Sequence, residues 1–271
     1  MTLRLAHASL ATVEELFEFK ASGFELPEFP GHTGDQWGIK AHNRPWVAAN
    51  GQWAAGQRIV EVGGAYSTLP EHLAAVHGLE AWVADDFGAG DGDERWSRWG
   101  DPRELARDHP DVNYEFTNLG PARPFPDAHF DRIFTVSTLE HIAEDQREAV
   151  LADMNRCTAP GGIQLHTIDI PVPLPAVAVD VARLQRRRPR RAATADPRGI
   201  MAWFQAFADS GVRIDVEAPS SLELLNRRVL VESPDVVYRF YPPNDAPKKY
   251  RPAASLLLVI RDDGPTPDAP E

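Results

Sequence analysis

Cysteine is almost missing: Cys157 stands alone in a chain of 271 residues. An internal disulfide is therefore excluded, and with it a disulfide-stapled secreted scaffold. Long apolar runs are missing too. No uninterrupted stretch approaches the ~18 residues of a membrane span. The opening "MTLRLAHASLATVEELFEF" meets Glu14 and Glu15 too early for a secretory leader. The reading is a soluble, cytoplasmic protein in a reducing compartment. Positive charge is in deficit, with 28 Lys and Arg against 40 Asp and Glu, for a formal net charge of −12. Such a surface repels phosphate backbones, which makes nucleic acid a poor partner. A full G-x-G-x-x-G fingerprint is also lacking, which counts against a nucleotide-dependent oxidoreductase.

What is present is a core. Hydrophobic residues make up 43% of the chain, enough for one large α/β domain or a domain with a cap. From residue 58 strands and helices alternate. "RIVEV" reads as a strand, and 67–77 as a helix with Leu69, Leu73 and Val76 on one face. "AWVADD", "VNYEF", "FDRIFTVS" and "IQLHTI" read as further strands, with a helix over 143–157 that buries Val150, Leu151 and Met154. This order predicts a Rossmann-like, doubly wound, mostly parallel seven-stranded sheet with helices on both faces. Residues 1–56 read as an N-terminal helical segment, a lid, with Val13, Leu16 and Phe17 at helical spacing. Residues 57–262 form the main domain. Pro171, Pro173 and Pro175 interrupt it, so 170–198 reads as an insert after the fifth strand. "VRIDVE" and "SLLLVIR" are its last strands, and 263–271 reads as a disordered tail.

The stretch "RIVEVGGAYSTLP" carries the first chemical signal: a strand, an acid, two glycines and a helix start. Glycine there lets the backbone approach a ligand closely, and the N–H groups of the next helix can receive an anion. Asp85 and Asp86 end the next strand at the same sheet edge, where an acid commonly bonds ribose hydroxyls. Alone, this fits a nucleoside-like ligand, or else a tight turn beside two solvated aspartates.

Downstream stand Pro124-Phe125-Pro126-Asp127, Phe130-Asp131, Leu139-Glu140-His141-Ile142 and Pro160-Gly161-Gly162. In that order and spacing, over about residues 57–168, the chain resembles the class I S-adenosylmethionine-dependent methyltransferases of the FD-x-I…LEHI…PGG branch. The resemblance implies S-adenosyl-L-methionine as cofactor. It implies that Glu61 orients the methionine part, and that Gly63, Gly64, Ala65 and Ser67 line the cofactor loop. Asp85, or Asp86 beside it, would bind the ribose. Asn118, with Leu119, would reach the adenine, and Ser137 would line the methyl-donor face. Glycine is usual in the family at the places of Ala65 and Ser67. The Ser67 hydroxyl could instead cap the following helix.

Transfer to oxygen needs a base. His141 follows the fourth strand on the catalytic rim and reads either as that base or as a helix cap. His166 and Asp169, at the end of the fifth strand, are further candidates, and no metal site is expected from them. The run "RLQRRRPRR" at 183–191 reads as a solvated loop or as a clamp for an anionic substrate. Phe24, Phe29, Trp37 and Trp46 read either as a lid over the cofactor or as packing on the sheet; Trp96 and Trp99 face either the adenine pocket or the surface. The expected activity is methyl transfer to an oxygen or nitrogen of a small molecule, such as an anionic sugar or secondary metabolite. The alternative is a binding protein that kept the fold without catalysis.

Overall fold

The computed structural model describes residues 2–26, 39–87, 100–172, 199–220, 223–232 and 253–262. The chain runs β1 (Leu3–Leu10), α1 (Val13–Ala21), α2 (Ile39–Asn50), β2 (Arg58–Val62), α3 (Leu69–His77), β3 (Glu80–Ala84), α4 (Pro102–Asp108) and β4 (Val112–Glu115). It continues with β5 (Phe130–Val136), a 3-10 turn (Leu139–His141), α5 (Glu144–Cys157), β6 (Thr158–Pro171), α6 (Ile200–Asp209), β7 (Arg213–Ile214), a second 3-10 turn (Glu223–Leu225), β8 (Val231–Glu232) and β9 (Ala253–Asp262).

One sheet takes them all, in the order β4-β3-β2-β5-β6-β9-β1-β7, with β8 against β9. Strands β2 to β6 are mutually parallel. Their apolar sequences follow from burial on both faces, as the burial of every residue of β2 but Arg58 shows. One face is covered by α5 and α6, whose Leu151, Met154, Trp203 and Phe207 pack with Ile133 and Ile168. The other is covered by α1, α2 and α3 through Leu16, Trp46, Val47, Leu69 and Leu73.

The sheet has nine strands among the described residues where seven are expected. The N-terminal segment is not wholly helical. Leu3 and Leu5 alternate with Arg4 in burial, and β1 pairs with β9 antiparallel and with β7 in parallel. A register shift between Leu5 and His7 blurs the alternation further along. Trp46 is buried in the core, and Phe24 packs edge-on against His72 of α3, so both pack on the sheet. Val76 is 60% exposed, in the last turn before the left-handed Gly78 cap, and does not share the buried face of Leu69 and Leu73. Strand β6 carries its ladder to Pro171, opposite Ala253. Phe29, Trp37, Trp96, Trp99, nearly all of the insert with the arginine run, and the tail lie outside the described residues.

Candidate active site

The carboxyl ends of β2, β3, β5 and β6 meet beneath the N-terminal half of α2. The turn after β2 is built around contact. Gly63 has φ +70°, and a side chain there would run into Thr138, whose hydroxyl donates to the Gly63 carbonyl. A Cβ on Gly64 would lie 3.0 Å from Glu61 Cγ. Ala65 follows at φ +43°, a left-handed conformation that costs an alanine about 1–2 kcal/mol. Asp85 holds it there: Oδ2 accepts from Ala65 N–H at 2.9 Å and Oδ1 from Phe87 N–H at 2.6 Å. Burial pushes Asp85 up to about 6, against those two bonds. Ala65, Phe87 and Ser137 are three of the six described non-glycine residues at positive φ, and all three rim this site. Strain of this kind gathers where function over-determines the backbone.

Glu61 sits under the turn, 2% exposed. The Ser67 hydroxyl hydrogen-bonds to it, while Oε2 is buried with no hydrogen-bond partner among the described residues. Burial pushes its carboxyl up to about 7, against Ser67, Arg44 and Lys40. Ser67 Oγ also accepts from Leu69 N–H at 3.3 Å, at the start of α3. Both roles give a physical reason for serine where glycine is usual.

At the end of β5, Ser137 Oγ donates to Asp169 Oδ1 at 2.9 Å and accepts from Asn43 Nδ2 of α2 at 3.3 Å. Asp169 is thus brought into the site. Burial raises its carboxyl, with Lys40 and hydrogen bonds with Ser137 and Glu140 acting against the rise. Asp86 donates its N–H to Asn118 Oδ1 at 3.3 Å, so these two meet at the rim. Beside them Tyr66, Phe87, Phe116 and Tyr114 form an aromatic wall, with Tyr66 edge-on to Phe87 at 5.5 Å.

Three candidates fall elsewhere. His166 lies on the opposite face of β6, fully buried against Phe207. Its ring nitrogens pair with Thr135 Oγ1 and Gln164 Oε1, and burial drives its pKa down to about 3. It is a core residue, because strand alternation turns it away from Asp169. The Leu119 side chain is buried in the same core, so only its backbone can face the rim. His141 has a side chain 73% exposed, with Nε2 3.9 Å from Glu140 Oε1 at the edge of the buried cluster.

Its neighbour Glu140 is the residue that points inward. Its side chain is 11% exposed, and burial and the charge of Asp169 push its carboxyl well above the usual range. Sequence reasoning used Glu140 only as a letter in a motif. It also passed over α2, which brings Lys40, Asn43 and Arg44 over the site. Thr138 and Phe87 went unread for the same reason: no local pattern singles them out. A buried acid inside a short turn after an apolar strand was the available signal for Glu140.

Residues 102–165 match a family model described as a methyltransferase domain, which covers α4 to the middle of β6 and stops short of the glycine turn. Among curated proteins none matches this chain. The fold matches that of Haemonchus contortus phosphoethanolamine N-methyltransferase 2 in complex with S-adenosyl-L-methionine, with a TM-score of 0.50 and 14% identity over 92% of this chain and 56% of that one. The same protein with phosphomonomethylethanolamine and S-adenosylhomocysteine gives a TM-score of 0.50, 14% identity, and 92% and 57% coverage. The YcgJ protein of Bacillus subtilis gives 0.47 and 11%, over 83% of this chain and 99% of that one. The present chain thus spans little more than half of the Haemonchus protein. No helix among the described residues is long and apolar enough to cross a membrane. Residues 102–165 are thus similar to a methyltransferase domain, and the sheet as a whole has the fold seen in the Haemonchus protein.

Proposed function

We propose that the protein transfers a methyl group from S-adenosyl-L-methionine to a nitrogen or oxygen of a small-molecule acceptor. The observation that carries this reading is the unpartnered Glu61 Oε2 beneath a turn that excludes any side chain at Gly63. A buried carboxylate oxygen with no partner is costly, and an ammonium satisfies it. The amino end of the cofactor fits there, with the backbone of Gly63, Gly64 and Ala65 close beside it. When bound, S-adenosylmethionine supplies a methyl group on a sulfonium already activated for displacement, so the protein's task is positioning.

Asp85 is occupied by two backbone N–H groups and ties the turn to β3. The ribose role then falls to Asp86, and Asn118 beside it faces the adenine along the wall of Phe87 and Tyr66. Asp169 and Ser137 occupy the side where an acceptor would enter. The His141 ring is exposed and lies 3.9 Å from Glu140 Oε1, so the buried carboxyls of Glu140 and Asp169 are preferred as the base.

The test is calorimetric titration with S-adenosylmethionine and S-adenosylhomocysteine, with NAD as control. Micromolar binding of the first two and none of NAD is expected. Asp86→Ala should weaken binding about 10–100-fold through lost hydrogen bonds, with thermal stability unchanged. Asp85→Ala should lower thermal stability as well. No binding of either compound at millimolar concentration would refute the reading.

A further inference from the structure

A second group of partnerless oxygens lies around Asp169, apart from Glu61. Ser255 is directly opposite Asp169 across the β6–β9 ladder, and Thr167 is two residues earlier on the same face. Both are fully buried, and neither hydroxyl has a hydrogen-bond partner among the described residues. Both carboxylate oxygens of Glu140 are sealed from solvent and lack a well-formed hydrogen bond, although the Asp169 carboxyl and the backbone N–H groups of Glu140 and Asp169 stand close enough to act on them. Two strands, β6 and β9, and the turn after β5 therefore bring four oxygen atoms without a well-formed hydrogen bond to the neighbourhood of the Asp169 carboxylate. Native structures leave few such groups, and a cluster of them implies an occupant.

The chemistry selects that occupant. Carboxylates and hydroxyls side by side call for several N–H donors and a positive charge. An anion would be repelled, and a neutral hydroxyl brings one donor. Lys40 acts on both carboxyls but faces Glu61 as well, and the exposed His141 ring lies 3.9 Å from Glu140 Oε1; neither makes a well-formed hydrogen bond to Glu140. Among the described residues no three side chains of metal-ligating type converge.

We propose that Glu140 and Asp169, with Thr167 and Ser255, hold the amine of the methyl acceptor, so that the acceptor is a cationic amine. This rests on the methyltransferase reading above and replaces the anionic acceptor expected from sequence. Bound as an ammonium, the amine must lose a proton before it can attack. Glu140 Oε1 or Oε2 accepts that proton. Burial and the neighbouring Asp169 charge make Glu140 a strong proton acceptor for a carboxylate.

The test follows thermal unfolding of the full chain with n-butylamine and benzylamine against n-butanol and benzyl alcohol, at matched ionic strength, with and without S-adenosylhomocysteine. The amines should raise the unfolding temperature saturably, and the alcohols should not. Glu140→Gln, which keeps the shape, should weaken the amine response about tenfold or more and leave S-adenosylhomocysteine affinity unchanged. Asp169→Asn should behave likewise and serves if the first variant misfolds. Equal responses to amines and alcohols would overturn the proposal, as would an amine response that survives both substitutions. So would an equal loss of S-adenosylhomocysteine affinity in Glu140→Gln, since the pair would then serve the cofactor's own ammonium. Failure of wild-type protein to bind S-adenosylhomocysteine would refute the methyltransferase reading, while the amine–alcohol comparison would still report on this pocket.

Discussion

On the proposed reading, Glu61 is kept for its ligand at a cost to the ligand-free protein. Its ordinary value is 4.5, and burial raises it to about 7. Well below 4.5 the carboxyl is protonated whether folded or not, and it adds no pH dependence. Between 4.5 and about 7 the folded state holds a proton that the unfolded state releases, so stability falls as pH rises. Above that window a penalty of about 3 kcal/mol remains. Glu61→Gln should therefore flatten the decline in urea midpoint across this window and stabilise the ligand-free protein on its alkaline side. It should also lose cofactor affinity. A decline that survives the substitution would assign the effect to the other carboxyls raised by burial, Asp85 (to about 6), Glu140 and Asp169. The residues of the turn were legible, because Glu61, Gly63 and Gly64 follow an apolar strand. That Glu140 rather than His141 is the buried one was not legible, because they are adjacent letters and the backbone alone decides which one points inward.

Among elements, α2 does the most for the site and had the weakest signal. It contains Pro45 and no acidic residue in its first turn, so no N-terminal signature marks it. Its position comes from tertiary contacts. His42 Nε2 lies 3.2 Å from Glu15 Oε2, and Glu15 is the N3 residue of a capping box with Thr12. Burial works to raise Glu15, but hydrogen bonds from His42 and Thr12 prevail and hold it below its ordinary value. The stability this link supplies is therefore present at neutral pH and is lost as pH falls through the carboxylate range. Thr12→Ala should cost about 1 kcal/mol in urea unfolding, with a larger effect at neutral pH than in acid. An unchanged midpoint would show that α1 does not depend on its cap. The parallel strands β2 to β6 were readable as apolar runs because both of their faces are buried. Strand β1 was not, because only Leu3 and Leu5 alternate cleanly before the register shift.

At the scale of the molecule, the sheet joins distant parts of the chain. Strand β9 lies between β6 and β1 and runs antiparallel to both. Removing residues 253–262 should leave β1 and β7 without a place in the sheet and should abolish cooperative unfolding in circular dichroism. Retention of a sharp transition would show that β2 to β6 form a self-sufficient core. The same arrangement sets an order of events at the ribosome. Strand β1 is made before the other strands of this sheet, yet its neighbour β9 is made some 250 residues later. Contacts so far apart in sequence close slowly and leave sheet edges open in the meantime. During synthesis the edges of β1 and β6 wait unmated, and a chaperone that shields nascent strands would have its strongest hold on this protein there.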